Sequence, residues 1–236
     1  MRAVFKREIQ SFFYTPAAYV FMGVFLAISG VFFIQGNLLA HSGDLTQLIA
    51  VMGYLWMLLS PVLTMRLMAG ERHQKTDQLL FSSPVSLGGI VGGKFLAASA
   101  VLLSTVGCTF LYGVIVAFWG KLYVAEVMVS YLGLILLGLS FLALDLFVSC
   151  FAKTQMTAVM MGFGANLLLW LSDLAASAAG EGLLKNILHF ISLYQRFEPF
   201  TQGLLSFSNV LFNLIFVALM LFLSVRVLDA RRWSEA

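Results

Sequence analysis

From Val127 to Phe151 the chain reads VMVSYLGLILLGLSFLALDLFVSCF, twenty-five residues with a single charge, Asp145. A helix needs about 20 apolar residues to cross the hydrocarbon core of a bilayer. A helix of a soluble protein would show a polar stripe, and this one has none. The stretch reads as a membrane span, and the rest of the chain is measured against it.

Five further runs meet the same standard, near 17–35, 47–69, 94–118, 156–174 and 209–227. Of the 236 residues, 61% are hydrophobic and 11% charged. Soluble domains are about 45–50% apolar, and a water-soluble core of this size could not hide the excess. The expected fold is an all-α integral membrane protein, one transmembrane domain over residues 1–236. In such a chain the net charge of +3 reports orientation rather than affinity for nucleic acid.

Six spans put both termini on one side. Of the 14 Lys and Arg residues, 11 fall at the termini and in the 2–3 and 4–5 loops. Lys121, Lys185 and Arg196 fall on the other side. Cytoplasmic loops are the basic ones, so both termini and the 2–3 loop are expected in the cytoplasm. No signal peptide is expected, since the first apolar run follows a polar stretch, lacks a small-residue cleavage site and is long enough to span.

Residues 2–14, RAVFKREIQSFFY, place Phe5, Ile9, Phe12 and Phe13 within about 100° of arc at helical spacing. That pattern predicts an interfacial helix with Lys6, Arg7, Gln10 and Ser11 on its other side. Pro16 permits a turn into the first span, Ser60-Pro61 predicts a kink in the second, and Trp119 suits an interface anchor. The 175–208 connection is apolar and aromatic, with Leu184, Ile187, Leu188 and Ile191 at helical spacing, yet interrupted by Lys185, His189, Arg196, Glu198 and Pro199. It is expected to form short helices that lie on or dip into the outer membrane face.

Three chemical readings can be weighed. Gly88, Gly93 and Lys94 fit the register of a phosphate-binding loop, but Phe95 stands where a hydroxyl should meet Mg²⁺ and no strand precedes it. Close helix packing by the glycines and a Lys94 side chain snorkelling to the interface account better for GGIVGGKF. No HExxH or GxSxG occurs, and Cys108 and Cys150 form no CxxC and read as small hydrophobes. Asp145 is the one acid deep inside a span. It is either a structural partner for Arg226 or a nearby hydroxyl, or a group whose ionisation is tied to transport. Asn166 and Asn213 read as interhelical hydrogen-bond partners.

The polar stretch ERHQKTDQLLFSSP, Glu71–Pro84, interrupts two apolar runs. Glu71 and Lys75 are spaced i,i+4, Thr76 can cap DQLLFSS, Leu79 and Leu80 face inward, Pro84 stops the helix, and Ser86 can cap the next one. The pattern describes a short rigid helix held under the membrane, either as a plain hairpin or as a docking element.

RLMAGERHQKTDQLLFSSPVSLGGIVGGKFLAA (66–98) resembles the cytoplasmic signature of ABC-2 type transporter permeases, matched at Glu71, Arg72, Thr76, Leu79, Leu80, Ser82, Pro84, Gly93 and Lys94. Gly70-Glu71 departs from the two consecutive acids of many members. SLYQRFEPFTQGLLSFSNVLF and RVLDARRW are similar to the gliding-motility-associated (GldF-like) branch. The resemblance implies a six-helix half-transporter of the bacterial inner membrane, with a coupling helix in the first cytoplasmic loop and a re-entrant outer segment. It implies no catalysis and no cofactor in this chain. ATP and Mg²⁺ would be bound by a separate ATPase, two copies of which would dock on Glu71, Arg72, Lys75, Thr76, Leu79, Leu80, Ser83 and Pro84. A second permease copy, or a different permease, would complete the path.

An ATP-driven exporter is the leading expectation. An envelope-assembly or force-transmitting complex that moves no substrate is the second, and a secondary transporter using Asp145 the third. Tyr54, Trp56, Met57, Met160, Met161, Phe163 and Trp170 would form an adaptable lining if they faced the path.

Overall fold

The computed structural model describes residues 2–73, 86–118, 123–178 and 192–234. Helix accounts for most of them, and none of the described residues is in a strand. In chain order the helices are α1 (Arg2–Tyr14), α2 (Pro16–Phe33), α3 (Thr46–Thr64), α4 (Ala69–His73), α5 (Leu87–Ala117), α6 (Val124–Ser149), α7 (Gln155–Ala178), α8 (Tyr194–Thr201) and α9 (Phe207–Ser234). Among the described residues, six segments are long and apolar enough to cross a membrane: Pro16–Leu38, Thr46–Arg72, Leu87–Ala117, Val124–Ser149, Gln155–Ala175 and Phe207–Arg231.

The local chemistry explains several boundaries. Thr15 is extended and Pro16 opens α2, where a missing N–H costs nothing. Residues Ile34–Leu38 continue α2 as a π-helical turn. Asn37 closes that end by donating from Nδ2 to the carbonyls of Ser42 and Asp44, at 3.1 and 2.8 Å. Ser86 caps α5 by accepting from the Gly89 N–H at 3.2 Å. The third span therefore starts seven residues before position 94. GGIVGGKF lies within the first two and a half turns of a continuous helix, not on a strand-to-helix loop.

α6, the helix that opened the sequence reading, is the hub. It packs on α3, α5, α7, α8 and α9. In α3 and α6, 61% of the apolar window is buried, against 17% in α7 and 11% in α9, so the last two present their outer faces away from this chain. Van der Waals packing drives helix association where lipid is as apolar as the side chains, which favours small residues at close contacts. Gly133 and Gly138 of α6 admit Phe200 and Leu102.

α1 packs on α5 as well as lying beside α2. Its buried residues are Val4, Glu8 and Phe12, while Phe5 and Ile9 are half-buried. The inner face is thus rotated from the arc read by hydrophobic spacing, and it carries a carboxylate. Of the 175–208 connection, α8 is described: it wedges between α3 and α6 with Phe197 and Phe200 fully buried. The Ser130 hydroxyl of α6 donates to the Phe200 carbonyl at 2.9 Å. Leu184, Ile187, Leu188 and Ile191, like Trp119, lie outside the described residues.

The lining anticipated from aromatic and methionine content divides. Trp56 and Met57 are core residues, with Trp56 packed against Phe21 and Phe25 at 5.7 and 4.9 Å between ring centroids. Met160, Met161 and Phe163 are exposed on the outer side of α7, and Tyr54 stacks on Tyr194.

A Cβ at position 133 would lie 2.7 Å from Phe200 Cγ, next to the fixed root of that side chain, whereas one at 138 would lie 2.6 Å from the movable Leu102 Cδ1. Gly133→Ala should therefore cost about 1–3 kcal/mol of overpacking and Gly138→Ala less. Thermal unfolding of the detergent-solubilised protein checks that order, which equal losses would contradict.

Candidate functional site

Two polar clusters interrupt the apolar interior. The first lies where α1, the α3–α4 junction and α5 meet. Lys94 sits two turns into α5, at a depth where its side chain is fully buried. It does not snorkel to the interface. Its ammonium donates to Glu8 Oε1 at 3.0 Å, to Glu71 Oε2 at 2.9 Å and to the Leu67 carbonyl at 2.5 Å. These three acceptors match the three protons of an ammonium.

Each partner is supplied for a local reason. α3 gives way to turns over residues 65–68, which frees the Leu67 carbonyl from a regular ladder. Glu71 follows in α4, and Glu8 lies on the buried face of α1. Arg7 spans the two carboxylates, donating to Glu8 at 2.9 Å and to Glu71. The hydrogen bond to Glu8, together with the Glu71 charge, raises the Arg7 pKa above the ordinary guanidinium value against the opposing cost of burial. Two cations and two carboxylates leave the knot neutral, and a buried charge needs that compensation. Arg72 extends the knot by donating from Nη1 to the Ala152 carbonyl, in the turn between α6 and α7, at 3.2 Å.

The knot gives Glu71 and Arg72 partners within this chain. Both Glu71 oxygens bind cations of this chain, and Arg72 holds an internal carbonyl. Lys75, Thr76, Leu79, Leu80, Ser83 and Pro84 lie outside the described residues. Glu8 was missed. It sits on the flank of an amphipathic pattern, and its signal was available in one fact: it is the sole acid among the first 43 residues.

The second cluster lies mid-bundle between α3, α6 and α7. Ser60 Oγ donates to Asp145 Oδ2 at 2.5 Å. Asn166 Nδ2 reaches the Met57 carbonyl at 3.0 Å, Ser60 Oγ at 3.3 Å and Asp145 Oδ2 at 3.4 Å. Pro61 has no N–H to give the carbonyl four residues earlier, and that carbonyl belongs to Met57. The Asn166 amide takes the place of the missing donor. Gly162 lets α7 approach: a Cβ there would lie 3.0 Å from both Asp145 Oδ1 and Pro61 Cβ. The Asp145 partner is thus a hydroxyl rather than Arg226. A separate pair, Ser140 Oγ donating to Asn213 Oδ1 at 2.8 Å, joins α6 to α9. Among the described residues no three of His, Cys, Asp and Glu gather as metal ligands.

A membrane bundle of six spans, with a knot at the root of a polar inter-span stretch, meets the comparison that decides its family: the model described as ABC-2 family transporter protein matches residues 17–229. The chain belongs to the ABC-2 family of transporter proteins. This ABC-2 protein is a multi-span membrane component, a permease, and the family's membrane domain is typically non-catalytic. Membership implies an ABC ATPase as partner. No curated protein matches the chain.

Two outcomes test the clusters. Lys94→Met removes the buried cation shared by Glu8 and Glu71 and leaves them only the exposed Arg7, so it should destabilise the permease by about 3–5 kcal/mol, and adding Glu8→Gln should recover part of that loss. Unfolding in detergent and SDS reads both, and simple additivity would contradict the pairing. Asn166→Leu leaves the Met57 carbonyl without a donor and should cost about 1–2 kcal/mol, near the upper range for interhelical hydrogen bonds in membranes. The same loss in a Pro61→Ala background, where the helix regains its own donor, should be smaller.

Proposed function

We propose that the protein is the permease subunit of an ABC exporter of the bacterial inner membrane, with both termini cytoplasmic and driven by two separate ATPase subunits that bind the ATP and Mg²⁺. The stretch from Glu71 to Pro84 is its docking element, and a second permease, identical or related, completes the path. Within the family we place it nearest the gliding-motility-associated (GldF-like) branch.

One observation carries the reading. The ion pair between Glu71 and Lys94, 2.9 Å long, joins the chain on either side of the stretch 74–85, and Glu8 ties α1 to the same point. A push on that stretch is delivered to α1, α3 and α5 together. Arg72 bonded to Ala152 passes it to the turn between α6 and α7. Bonds buried from water resist such a load better than exposed pairs, which contribute little.

The test separates docking from transmission. With the ATPase co-expressed, Leu79→Ala combined with Leu80→Ala should abolish co-purification. Glu71→Gln keeps the hydrogen-bonding shape while removing the charge. It should leave the ATPase bound but lower permease-stimulated hydrolysis about tenfold or more. Unchanged binding in the first variant and unchanged stimulation in the second would overturn the coupling role. Asp145→Asn should leave stimulated hydrolysis intact, since Asp145 is assigned to helix packing here and not to proton transport.

A further inference from the structure

Beside the ion knot is a cavity of about 300 Å³, lined by Arg7, Glu8, Ser11, Phe12, Arg66, Leu67, Gly70, Glu71 and Gln155. It lies at the inner end of the spans, between α1, the α3–α4 junction and the first residue of α7. Its two carboxylates are already engaged: Glu8 and Glu71 are held by Lys94 and Arg7. Arg66 is different. It is half-buried in the wall, and among the described residues no carboxylate, carbonyl or ring pairs with its guanidinium. The balance in the cavity is thus a neutral knot plus one uncompensated guanidinium. Ser11 at the exposed rim and the Gln155 amide, near Gly70, add neutral polar groups.

We propose that this cavity binds the phosphate of an anionic phospholipid headgroup from the adjoining leaflet. A guanidinium fork matches phosphate oxygens in two parallel hydrogen bonds, and the hydroxyl and amide can take further oxygens. Basic pockets between spans at the headgroup level recognise acidic lipids by this chemistry. The depth suits a lipid over a soluble anion. Arg66 lies within the Thr46–Arg72 span segment, Gln155 begins the Gln155–Ala175 segment, and the apolar wall residues Phe12 and Leu67 are buried, which gives an acyl chain's glycerol end an apolar border. A bound headgroup would bridge α1 to the α3–α4 junction beside the Glu8–Lys94–Glu71 knot. The proposal does not depend on transport direction or on the ATPase.

The experiment is native mass spectrometry of the full-length protein released from nanodiscs of phosphatidylcholine containing phosphatidylglycerol. Wild type should retain phosphatidylglycerol adducts in preference to phosphatidylcholine. Arg66→Gln should lower that retention at least fivefold, Arg66→Lys should restore part of it, and Lys6→Gln, an exposed basic residue outside the cavity, should leave it unchanged. Ser11→Leu, which fills the cavity from the rim without touching a charge, should lower retention in the same way and serves if Arg66→Gln does not fold. Equal retention in Arg66→Gln or Ser11→Leu, or no preference in wild type, would overturn the proposal. Inorganic phosphate at millimolar concentration should not displace the lipid; if it did so with the same dependence on Arg66, the site would be one for a soluble phosphate and the lipid assignment would be wrong.

Discussion

The arrangement depends on what is done with one charge, the ammonium of Lys94, buried to zero exposure in a helix that otherwise crosses a membrane. A lone ammonium in such surroundings would be prohibitively costly. Its three donors must find acceptors, and the chain supplies them from two distant places: Glu8 on α1, and Leu67 with Glu71 at the α3–α4 junction. That requirement fixes α1 against α5, fixes where α3 gives way to turns, and fixes where Glu71 leaves the membrane. The two flanks of the polar stretch between spans are brought together as a consequence.

The second polar cluster obeys the same rule without a cation. Pro61 opens a gap in the hydrogen-bond ladder of α3, and Asn166 closes it from α7 while also meeting Ser60 and Asp145. Three helices are thereby held in register by groups that lipid cannot satisfy. The two clusters lie at different places: the knot ties the end of the bundle beside α1, and the Ser60–Asp145–Asn166 group ties α3, α6 and α7 away from it. Together they make α3 and α6 a stiff centre, against which the peripheral helices α7 and α9 turn wide apolar faces outward.

This organisation gives the ABC-2 permease a simple mechanical logic. Elements at its centre are cross-braced by buried polar groups. The knot is neutral in itself, which leaves Arg66 in the cavity beside it as a charge with a different use.

The amino-acid sequence by itself determined the membrane class, the six spans, the missing backbone donor at Pro61 and the cap at Ser86, because each is written in a local run or spacing: about 20 apolar residues, a missing N–H, a hydroxyl three residues before a free amide. The family signature was likewise continuous along the chain. Only the tertiary structure decided the roles of Glu8, Lys94, Glu71 and Ser60, and which groups Asn166, read from sequence as an interhelical hydrogen-bond partner, meets. Lys94 looked like a snorkelling interface residue because its partners are 86 and 23 positions away, and periodicity carries no record of which helices touch. Glu8 looked incidental on an amphipathic helix because the pattern scored hydrophobic spacing and not the acceptor that a buried cation on another helix would require. A charge inside a membrane must be compensated, and the sequence states that debt, but where the compensating group comes from depends on which helices pack together.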